Sequence, residues 1–400
     1  MSPWLSIIGI GEDGLNGLTA ASQAALHTAD VVFGGKRHLA LANLNGLAKT
    51  QSWSVPFSIE PVLALRDQEK QVAVLASGDP FWFGAGGTLA QHLNPGEWQV
   101  FPNISTFSLV AARLGWRLEE TACVGLHAAP MQRLRKYMAT GQHTICLMRD
   151  GAAVGALGKY LSDAGFGDSE ATVFAAIGGP RETYQTVSAH GLHEVPVVKD
   201  PVAVALNFRG GPGLMRCPGL PDDGFHNDGQ ITKQPVRALT LSALAPRAGE
   251  RLWDVGAGNG SIAIEWLLAT GDHGNCIAIE PRADRGENVL KNAADYGVAG
   301  QIEWIQGKAP DALVSLQAPD AVFIGGGASE AMFNAIFAQV APGTRIVANA
   351  VTLETEMLLH KWSAHLGGSL LRLEVSEALP LGQGRGWSPS RPITQWRVTA

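Results

Sequence analysis

Residues 251–268 have the sequence RLWDVGAGNGSIAIEWLL, and this stretch decides the fold of the second half of the chain. The pattern is a buried strand that runs into alternating glycines and then into an apolar helix. Glycine at Gly256, Gly258 and Gly260 lets the backbone turn sharply and approach a ligand closely, while the start of the helix offers free amide donors. The stretch therefore predicts a ligand-binding strand–loop–helix unit.

Short apolar runs alternate with amphipathic helical stretches on both sides of this unit, which is typical of an α/β fold. Helices are predicted over residues 232–244 and 283–296. The apolar stripe of the first helix contains Val236, Leu239, Thr240, Ala243 and Leu244. Further strands are predicted at NCIAIE, IEWIQG, AVFIGG and TRIVANA.

An acidic residue ends the next strand, in the run IAIEPR. At that position Glu280 can accept hydrogen bonds from both hydroxyls of a ribose. The glycine spacing is G-x-G-x-G instead of the G-x-G-x-x-G of dinucleotide sites, which favours a cofactor without a pyrophosphate. S-adenosylmethionine therefore fits better than NAD, and the later loop over residues 307–309 is placed to edge its adenine ring. The alternative is that the glycines only tighten a turn and that Glu280 only caps the next helix.

The fourth strand of this half ends in DAVFIGGG. It lacks the N-P-P-Y-like run and the P-C pair that methylation of base amino groups and cysteine-mediated cytosine methylation use. Gly325, Gly326 and Gly327 leave open space that suits a bulky substrate, although a tight turn alone would explain them equally well.

The first half predicts two α/β parts that divide near residues 115–121. Before this division, helices are predicted over residues 20–28, 59–68, 86–92 and 105–114, and strands at WLSIIG, DVVFGG, QVAVLASG and WQVFPN. After it there is more strand than helix, so a mixed sheet is expected. The strand runs are CVGL, HTICLM, ATVFAAIG, ETYQTVS and PVAVALNF.

The first half also contains a literal G-x-G-x-x-G, formed by Gly9, Gly11 and Gly14 after the first strand. A dinucleotide site needs an acid at the end of the next strand, whereas Asp30 precedes that strand. NAD is therefore disfavoured here. A pair of nicotinamide-binding domains stays open as a rival class of enzyme.

Length and charge limit the remaining choices. A chain of 400 residues predicts two or three domains. The run RGGPGLMRCPGLPDDG at residues 209–224 predicts a linker between domains over 1–208 and 225–400. The net charge is −6, and neither half of the chain is basic enough to bind nucleic-acid phosphates. Nucleic acid is therefore disfavoured as a partner. The charge also disfavours the idea that the first half delivers an RNA methyltransferase to its target.

Neither a metal site nor a membrane segment is predicted. The 4 cysteines are too far apart for a C-x-x-C pair or a readable disulfide framework. The N-terminus lacks the charged region and the long apolar run of a signal peptide, and no apolar stretch of about 18 residues follows. A cytoplasmic protein without membrane contact is expected.

The second half resembles a known family in the runs DGQITKQPVRALTLSAL, DVGAGNGS, AIEPR, GKAPDAL and DAVFIGGG. Over residues 225–400 it is similar to the decarboxylating precorrin methyltransferases of cobalamin biosynthesis, which have a Rossmann-like class I methyltransferase fold. The resemblance implies that S-adenosylmethionine is held by Thr232, Gly256, Ala257, Gly258, Asn259, Gly260, Glu280 and Ala309. The simpler alternative for Thr232 is a helix N-cap.

The first half resembles the tetrapyrrole methylase family, and within it the members that act at precorrin-6Y, over residues 2–208. The runs that carry this resemblance are IIGIGEDGL, FGGKRHL, LASGDPFWFG, PNISTFSLVAARLGW and HTICLMRDG. It implies a second S-adenosylmethionine, in a cleft between two α/β subdomains, held by Gly78, Asp79, Ser105, Thr106 and Met148. Without the family, Asp79 is a plausible turn residue and Ser105 a helix cap.

One departure from the family pattern lies in the first loop. The family commonly has G-x-G-P-G-D there, whereas Glu12 and Asp13 follow Gly11 in this chain. The family pattern therefore predicts neither the shape of this loop nor a substrate contact from it.

Together the two resemblances imply a bifunctional enzyme with two donor sites. The N-terminal half would methylate C5 of precorrin-6Y (6B), and the C-terminal half would methylate C15 and remove carbon dioxide from the C12 acetate, giving precorrin-8X. The partner would be the small tetrapyrrole alone, with assembly into a homo-oligomer left open, and no catalytic residue is identified. Two basic clusters are candidates for binding substrate carboxylates: Lys36, Arg37 and His38, and Arg385, Arg391 and Arg397.

Overall fold

The computed structural model describes residues 3–400 except 45 and 47. The chain divides into two compact units. The first unit runs to Met131 and resumes over Tyr137–Pro212, and the second contains Gln132–Lys136 and Gly213–Ala400. Most of the stretch predicted as a linker, residues 209–224, thus belongs to the second unit.

The first unit begins with a parallel sheet of five strands in the order β3-β2-β4-β1-β5. The strands are β1 Leu5–Ile10, β2 Val31–Gly34, β3 Lys49–Ser52, β4 Val72–Ser77 and β5 Trp98–Phe101. The helices between and after them are α1 Ala20–His27, α2 Lys36–Ala42, α3 Glu60–Leu63, α4 Ala85–Ala90 and α5 Thr106–Leu114. Two buried apolar clusters that contain alternate residues of β1 cover the faces of this sheet. Because all its pairs are parallel, the carboxyl ends of the strands meet at one edge.

The rest of the first unit is a mixed sheet, as the sequence predicts. Its order is β6-β7-β10-β8-β9, and only the pair β6 with β7 is parallel. The elements are β6 Thr121–Gly125, β7 His143–Leu147, α6 Ala153–Asp163, β8 Glu170–Ala175, β9 Thr183–Ser188 and β10 Val202–Asn207.

The second unit is a seven-stranded sheet in the order β13-β12-β11-β14-β15-β19-β16, with a separate hairpin β17-β18. Its strands are β11 Arg251–Val255, β12 Asn275–Ile279, β13 Ile302–Ile305, β14 Ala321–Ile324, β15 Arg345–Ala350, β16 Ser369–Leu373, β17 Ser376–Leu381, β18 Gly384–Pro389 and β19 Ile393–Thr399. Its helices are α7 Gln234–Leu244, α8 Ser261–Thr270, α9 Ala283–Asp295, α10 Glu330–Phe337 and α11 Leu353–Leu366. The order reverses at β11, and ligands bind at such a switch point, outside the carboxyl ends of the strands.

The predicted face of α7 is wrong at one position. Leu239 is 42% exposed, whereas Arg237 is fully buried. The helix turns this face inward because Arg237 pairs with Glu265 of α8. The helix also begins at Gln234, so Thr232 precedes it and the N-cap is Lys233.

The second half of the predicted linker buries more than its composition suggests. Leu220 is 3% exposed and belongs to the core of the second unit. The amides of Gly219 and Leu220 donate to the Glu265 carboxylate at 2.6 and 3.0 Å. Composition does not predict these hydrogen bonds, because backbone amides donate them and every residue except proline has such an amide.

Candidate functional site

A cavity of about 940 Å³ opens in the second unit where β11, β14 and β15 end. Its lining comes from the segment before α7, from the glycine loop after β11, and from the strands at the C-terminus. Five of the residues predicted to bind the methyl donor lie in this lining: Thr232, Gly256, Ala257, Gly258 and Asn259. The structure therefore brings together residues that are far apart in the sequence.

The three glycines of the loop share a left-handed backbone, but the surroundings of Gly256 and Gly258 differ. All have positive φ, of 72° at Gly256, 57° at Gly258 and 77° at Gly260. A Cβ at Gly256 would lie 2.8 Å from the backbone nitrogen of Gly326, so the loop packs directly on the end of β14. A Cβ at Gly258 would meet no atom within 4 Å, which leaves open space on that side of the loop. Close packing against Gly326 and the positive φ both require glycine at Gly256, whereas Gly258 borders open space.

Glu280 lies against the loop at the carboxyl end of β12. One of its carboxylate oxygens accepts a hydrogen bond from the Gly258 amide at 2.9 Å, and the other accepts one from the Arg282 amide at 3.0 Å. It thus holds the loop and also bonds the N-cap residue of α9. Each carboxylate oxygen has two lone pairs and can accept a further hydrogen bond, but Glu280 is buried behind the loop and is not among the residues that line the cavity.

Ala309 lies outside the lining of the cavity. It precedes Pro310 through a cis peptide bond and packs against the apolar cluster that contains Leu313 and Ile324. Its role at an adenine ring stays a prediction, as does donor binding by the rest of the set.

Asp254 is a functional candidate that sequence reasoning missed. It is the fourth residue of β11 and is fully buried. Neither carboxylate oxygen has a well-formed hydrogen bond among the described residues, and the nearby Ala263 amide only partly offsets burial. Desolvation, helped by the charge of Glu280, raises the pKa of Asp254 to about 7. The signal was present in the sequence as a charged residue within a buried strand.

Replacing Asp254 with asparagine should change how stability depends on pH. Because the folded pKa of about 7 exceeds the ordinary 3.8, the protonated carboxyl stabilises the folded chain fully below about pH 4. That stability is lost as the pH rises through about 7, by at most about 1.4 kcal/mol per pH unit. Urea unfolding of both proteins between these pH values should show a difference that varies with pH. A constant difference would contradict the assignment, and the exposed E287Q variant should follow the wild-type profile.

In the first unit the predicted donor residues lie on loops at the ends of β4, β5 and β7. Gly78 follows β4 with φ of 55°, and a Cβ there would lie 2.9 Å from the Cα of Ser105. Ser105 is the N-cap of α5, its hydroxyl accepting from the Ser108 amide at 3.1 Å, and Thr106 is the first residue of that helix. The structure therefore brings Gly78, Ser105 and Thr106 together.

The remaining two residues have structural roles of their own. The Asp79 carboxylate accepts from the Phe81 amide at 2.9 Å, which forms the turn after β4. Met148 follows β7, is buried, and donates its amide to Val202 at 3.0 Å. The turn and cap interpretations of Asp79 and Ser105 are thus confirmed, and donor binding by the set stays a prediction.

Internal packing explains the G-x-G-x-x-G motif of the first half. A Cβ at Gly9 would lie 1.8 Å from the Gly78 carbonyl oxygen, and Gly14 has φ of 61° with the Leu41 carbonyl oxygen 2.8 Å from its Cβ position. Asp30 lies before β2, where its carboxylate accepts from the Gln71 amide at 2.8 Å. The glycines therefore need no dinucleotide to account for them.

The first loop contains an acid that pairs with arginines from both parts of the first unit. Glu12 is 7% exposed, and its carboxylate pairs with Arg37 of α2 and, at 2.9 Å, with Arg181 after β8. Arg37 also donates to the Ser77 hydroxyl at 2.6 Å. The ion pairs of Glu12 thus lie in the loop where the sequence departs from the family pattern. That departure was the sequence signal for these ion pairs.

His38 also contacts Ser77, the last residue of β4. Its Nε2 lies 2.8 Å from the Ser77 hydroxyl, and burial together with the charge of Arg37 lowers the pKa of His38 to about 4. The imidazole is therefore neutral near pH 7. Of the predicted cluster, Arg37 is committed to an internal ion pair.

Two family models match the chain. One describes tetrapyrrole (corrin/porphyrin) methylases and matches residues 5–190, and the other describes a precorrin methyltransferase domain and matches residues 223–400. A Sinorhizobium protein, precorrin-6Y C(5,15)-methyltransferase [decarboxylating], is 43% identical over 405 residues, which cover 100% of this chain and 97% of that protein. The chain belongs to the precorrin-6Y C(5,15)-methyltransferase family.

The family relationship extends over both units. The Mycobacterium tuberculosis protein of the same name is 37% identical over 395 residues, covering 98% of this chain and 99% of the relative. A crystal structure of the C-terminal domain of the Rhodobacter capsulatus precorrin-6Y C5,15-methyltransferase has 55% identity and a TM-score of 0.45, and covers 47% of this chain and 100% of that one. The sheets of both units confirm the α/β fold class, and the two family models with the full-length relatives confirm the predicted pairing of two methyltransferase families in one chain.

Two absences hold for the described residues. Across residues 3–400 without 45 and 47, no helix is both long and apolar enough to span a bilayer. The same part of the chain contains no cluster of three or more histidine, cysteine or acidic side chains arranged to hold a metal ion.

Proposed function

We propose that this protein transfers methyl groups to C5 and C15 of precorrin-6Y and removes carbon dioxide from its C12 acetate, giving precorrin-8X. The observation that carries the proposal is the match to decarboxylating C(5,15)-methyltransferases over 100% of the chain. The cavity of about 940 Å³ supports it, because this volume lies toward the upper end of ordinary small-molecule sites and suits a macrocycle.

Two donor sites in one chain are part of this proposal. In the second unit, the open side of Gly258, the amides at the start of α8 and the carboxylate of Glu280 fit an adenosine. In the first unit, the loops at Gly78 and Ser105, which contact each other, form the second proposed donor site. S-adenosylmethionine supplies an already activated methyl group. The C15 transfer and the decarboxylation are assigned to the second unit, and the C5 transfer to the first.

The protein's main contribution to the rate is orientation. Transfer from a sulfonium is an in-line displacement, and holding two reactants in line supplies roughly 7–11 kcal/mol, whereas a general base supplies about 3–5. The glycine loop borders the donor side of the cavity in the second unit, and Val351, Leu373 and Ile393 give its other walls apolar surface. No single side chain is needed to activate an enamine-like carbon.

The wild-type chain should transfer two methyl groups and release one carbon dioxide for each precorrin-6Y consumed. Mass spectrometry of the product with methyl-labelled donor measures the first, and label from the acetate carboxyl measures the second. Labelled RNA, or NAD bound in place of the donor, would contradict the proposal. Location in the cytoplasm, the absence of a nucleic-acid partner and any homo-oligomer stay predictions.

Replacing Gly78 with alanine should separate the two activities. The new Cβ would lie 2.8 Å from the Ile104 carbonyl oxygen at a φ of 55°, so the loops at the first donor site must move apart. A displacement of about 1 Å can cost about 100-fold in rate, and we expect this loss for the C5 transfer. Calorimetry should find one bound donor where the wild type binds two.

The matched control is G96A. Gly96 also has positive φ, but a Cβ there meets no atom within 4 Å, so it shares the backbone strain without the clash. The assignment of this site is wrong if G78A still binds two donors while remaining folded.

A further inference from the structure

Part of the cavity wall in the second unit comes from strands outside the parallel α/β core. The residues contributed by this C-terminal extension are Leu373, Val375, Glu377, Ser390, Arg391 and Ile393. Because β19 runs antiparallel to β15, its first residue lies at the carboxyl end of β15, beside the cavity. The extension therefore supplies a wall that the glycine loop does not reach.

The cationic side chains of the lining differ in whether they are paired. Lys233 lies 3.7 Å from the Asp222 carboxylate, and Arg285 lies 2.9 Å from that of Asp228. Arg391 is exposed and forms no ion pair or side-chain hydrogen bond within the part of the chain that the structure describes. It is a cation that the fold leaves available at the cavity.

The structure separates the three arginines that the sequence groups together. Arg397 donates to the Ser369 hydroxyl at 2.7 Å and borders a different pocket, which residues of α7, β15, β16 and β19 line. Arg385 lies on β18 and is outside the cavity lining of the described chain. Of the three arginines, only Arg391 both lines the cavity and has a guanidinium without a partner in the described part of the chain.

We infer that Arg391 binds a peripheral carboxylate of the tetrapyrrole and so fixes how the macrocycle lies in this cavity. The inference rests on the proposed function. A guanidinium pairs with a carboxylate through two parallel hydrogen bonds, which gives direction as well as affinity. Val351, Leu373 and Ile393 provide the neighbouring apolar surface for the ring.

The position of Arg391 favours the substrate over the carboxylate of the methyl donor. The glycine loop follows β11, while Arg391 lies just before β19, which is three strands away in the sheet. Strands are about 4.8 Å apart, so the two features are separated by roughly 14 Å across the sheet. The donor and Arg391 thus occupy different parts of one cavity.

The test uses the full-length chain and follows carbon dioxide release from precorrin-6Y. For R391Q, we expect the KM for the tetrapyrrole to rise roughly 10- to 100-fold, because a charge-assisted hydrogen bond is lost, with kcat within about 3-fold of wild type. The donor should bind with unchanged affinity and stoichiometry. R391K keeps the charge without the fork and should recover part of the loss. R385Q is the control and should match wild type.

Two results would overturn the inference. One is an R391Q variant that loses affinity for the donor while its KM for the tetrapyrrole is unchanged, since Arg391 would then belong to the donor site. The other is an R391Q variant with wild-type constants. Failure of the proposed function has a different signature, because the wild-type protein itself would then release no carbon dioxide.

Discussion

Replacing Arg237 with methionine should lower the free energy of unfolding of the second unit by about 3–5 kcal/mol. Arg237 is fully buried, and its guanidinium donates to the Glu265 carboxylate at 2.5 Å and to Asp222 at 3.0 Å. It also donates to the carbonyl oxygens of Leu220 and Thr232. Its removal leaves the Glu265 charge buried without its partner, and such a charge costs more than the lost contacts alone.

Thermal unfolding followed by circular dichroism would measure this effect. A domain of this size loses about 2–4 °C per kcal/mol, so the expected decrease in Tm is roughly 6–20 °C. The control is R247M, since Arg247 is 72% exposed and lies 3.9 Å from Glu250, an arrangement worth about 1 kcal/mol or less.

A double variant tests the reason for the loss. R237M/E265L removes both charges and should recover part of the stability. Recovery stays incomplete because Glu265 also accepts the amides of Gly219 and Leu220. A decrease below about 1 kcal/mol for R237M alone would mean that the buried pair does not hold this segment in place.

Replacing Gly256 with alanine should abolish the activities assigned to the second unit while sparing the first. The added Cβ would lie 2.8 Å from the nitrogen and 2.9 Å from the oxygen of Gly326, and φ there is 72°. Neither backbone can move without displacing the loop that borders the cavity. We expect C15 methylation and carbon dioxide release to decrease at least ~100-fold, with one donor bound per chain.

The matched control for this variant is G343A. Gly343 has φ of 94°, but a Cβ there meets no atom within 4 Å and lies in the turn before β15. It therefore reports the cost of left-handed backbone alone, about 1–2 kcal/mol. Carbon dioxide release that persists in G256A at the wild-type rate would show that the glycine loop is not the site of the C15 chemistry.

Local patterns in the sequence predicted most of the parallel core. The run at residues 251–268 specifies strand, turn and helix through neighbours only, and β11 and α8 formed where it predicts them. The mixed sheet of the first unit was likewise predictable. The strands β16 to β19 escaped prediction. β16 to β18 are mostly exposed and lack the alternating pattern of a half-buried strand, while β19 buries the polar residues Thr394 and Gln395 beside Trp396.

The sequence by itself determined the α/β class and the loops that border the cavity, because both depend on spacing between near neighbours, and its motifs carried the resemblance to the two methyltransferase families. Only the tertiary structure decided which charges are paired. Glu12 meets Arg181 across 169 positions, and Arg237 meets Glu265 across 28, while Arg391 is left without a partner in the described chain. Such pairings depend on how distant segments pack, and no local periodicity carries that information.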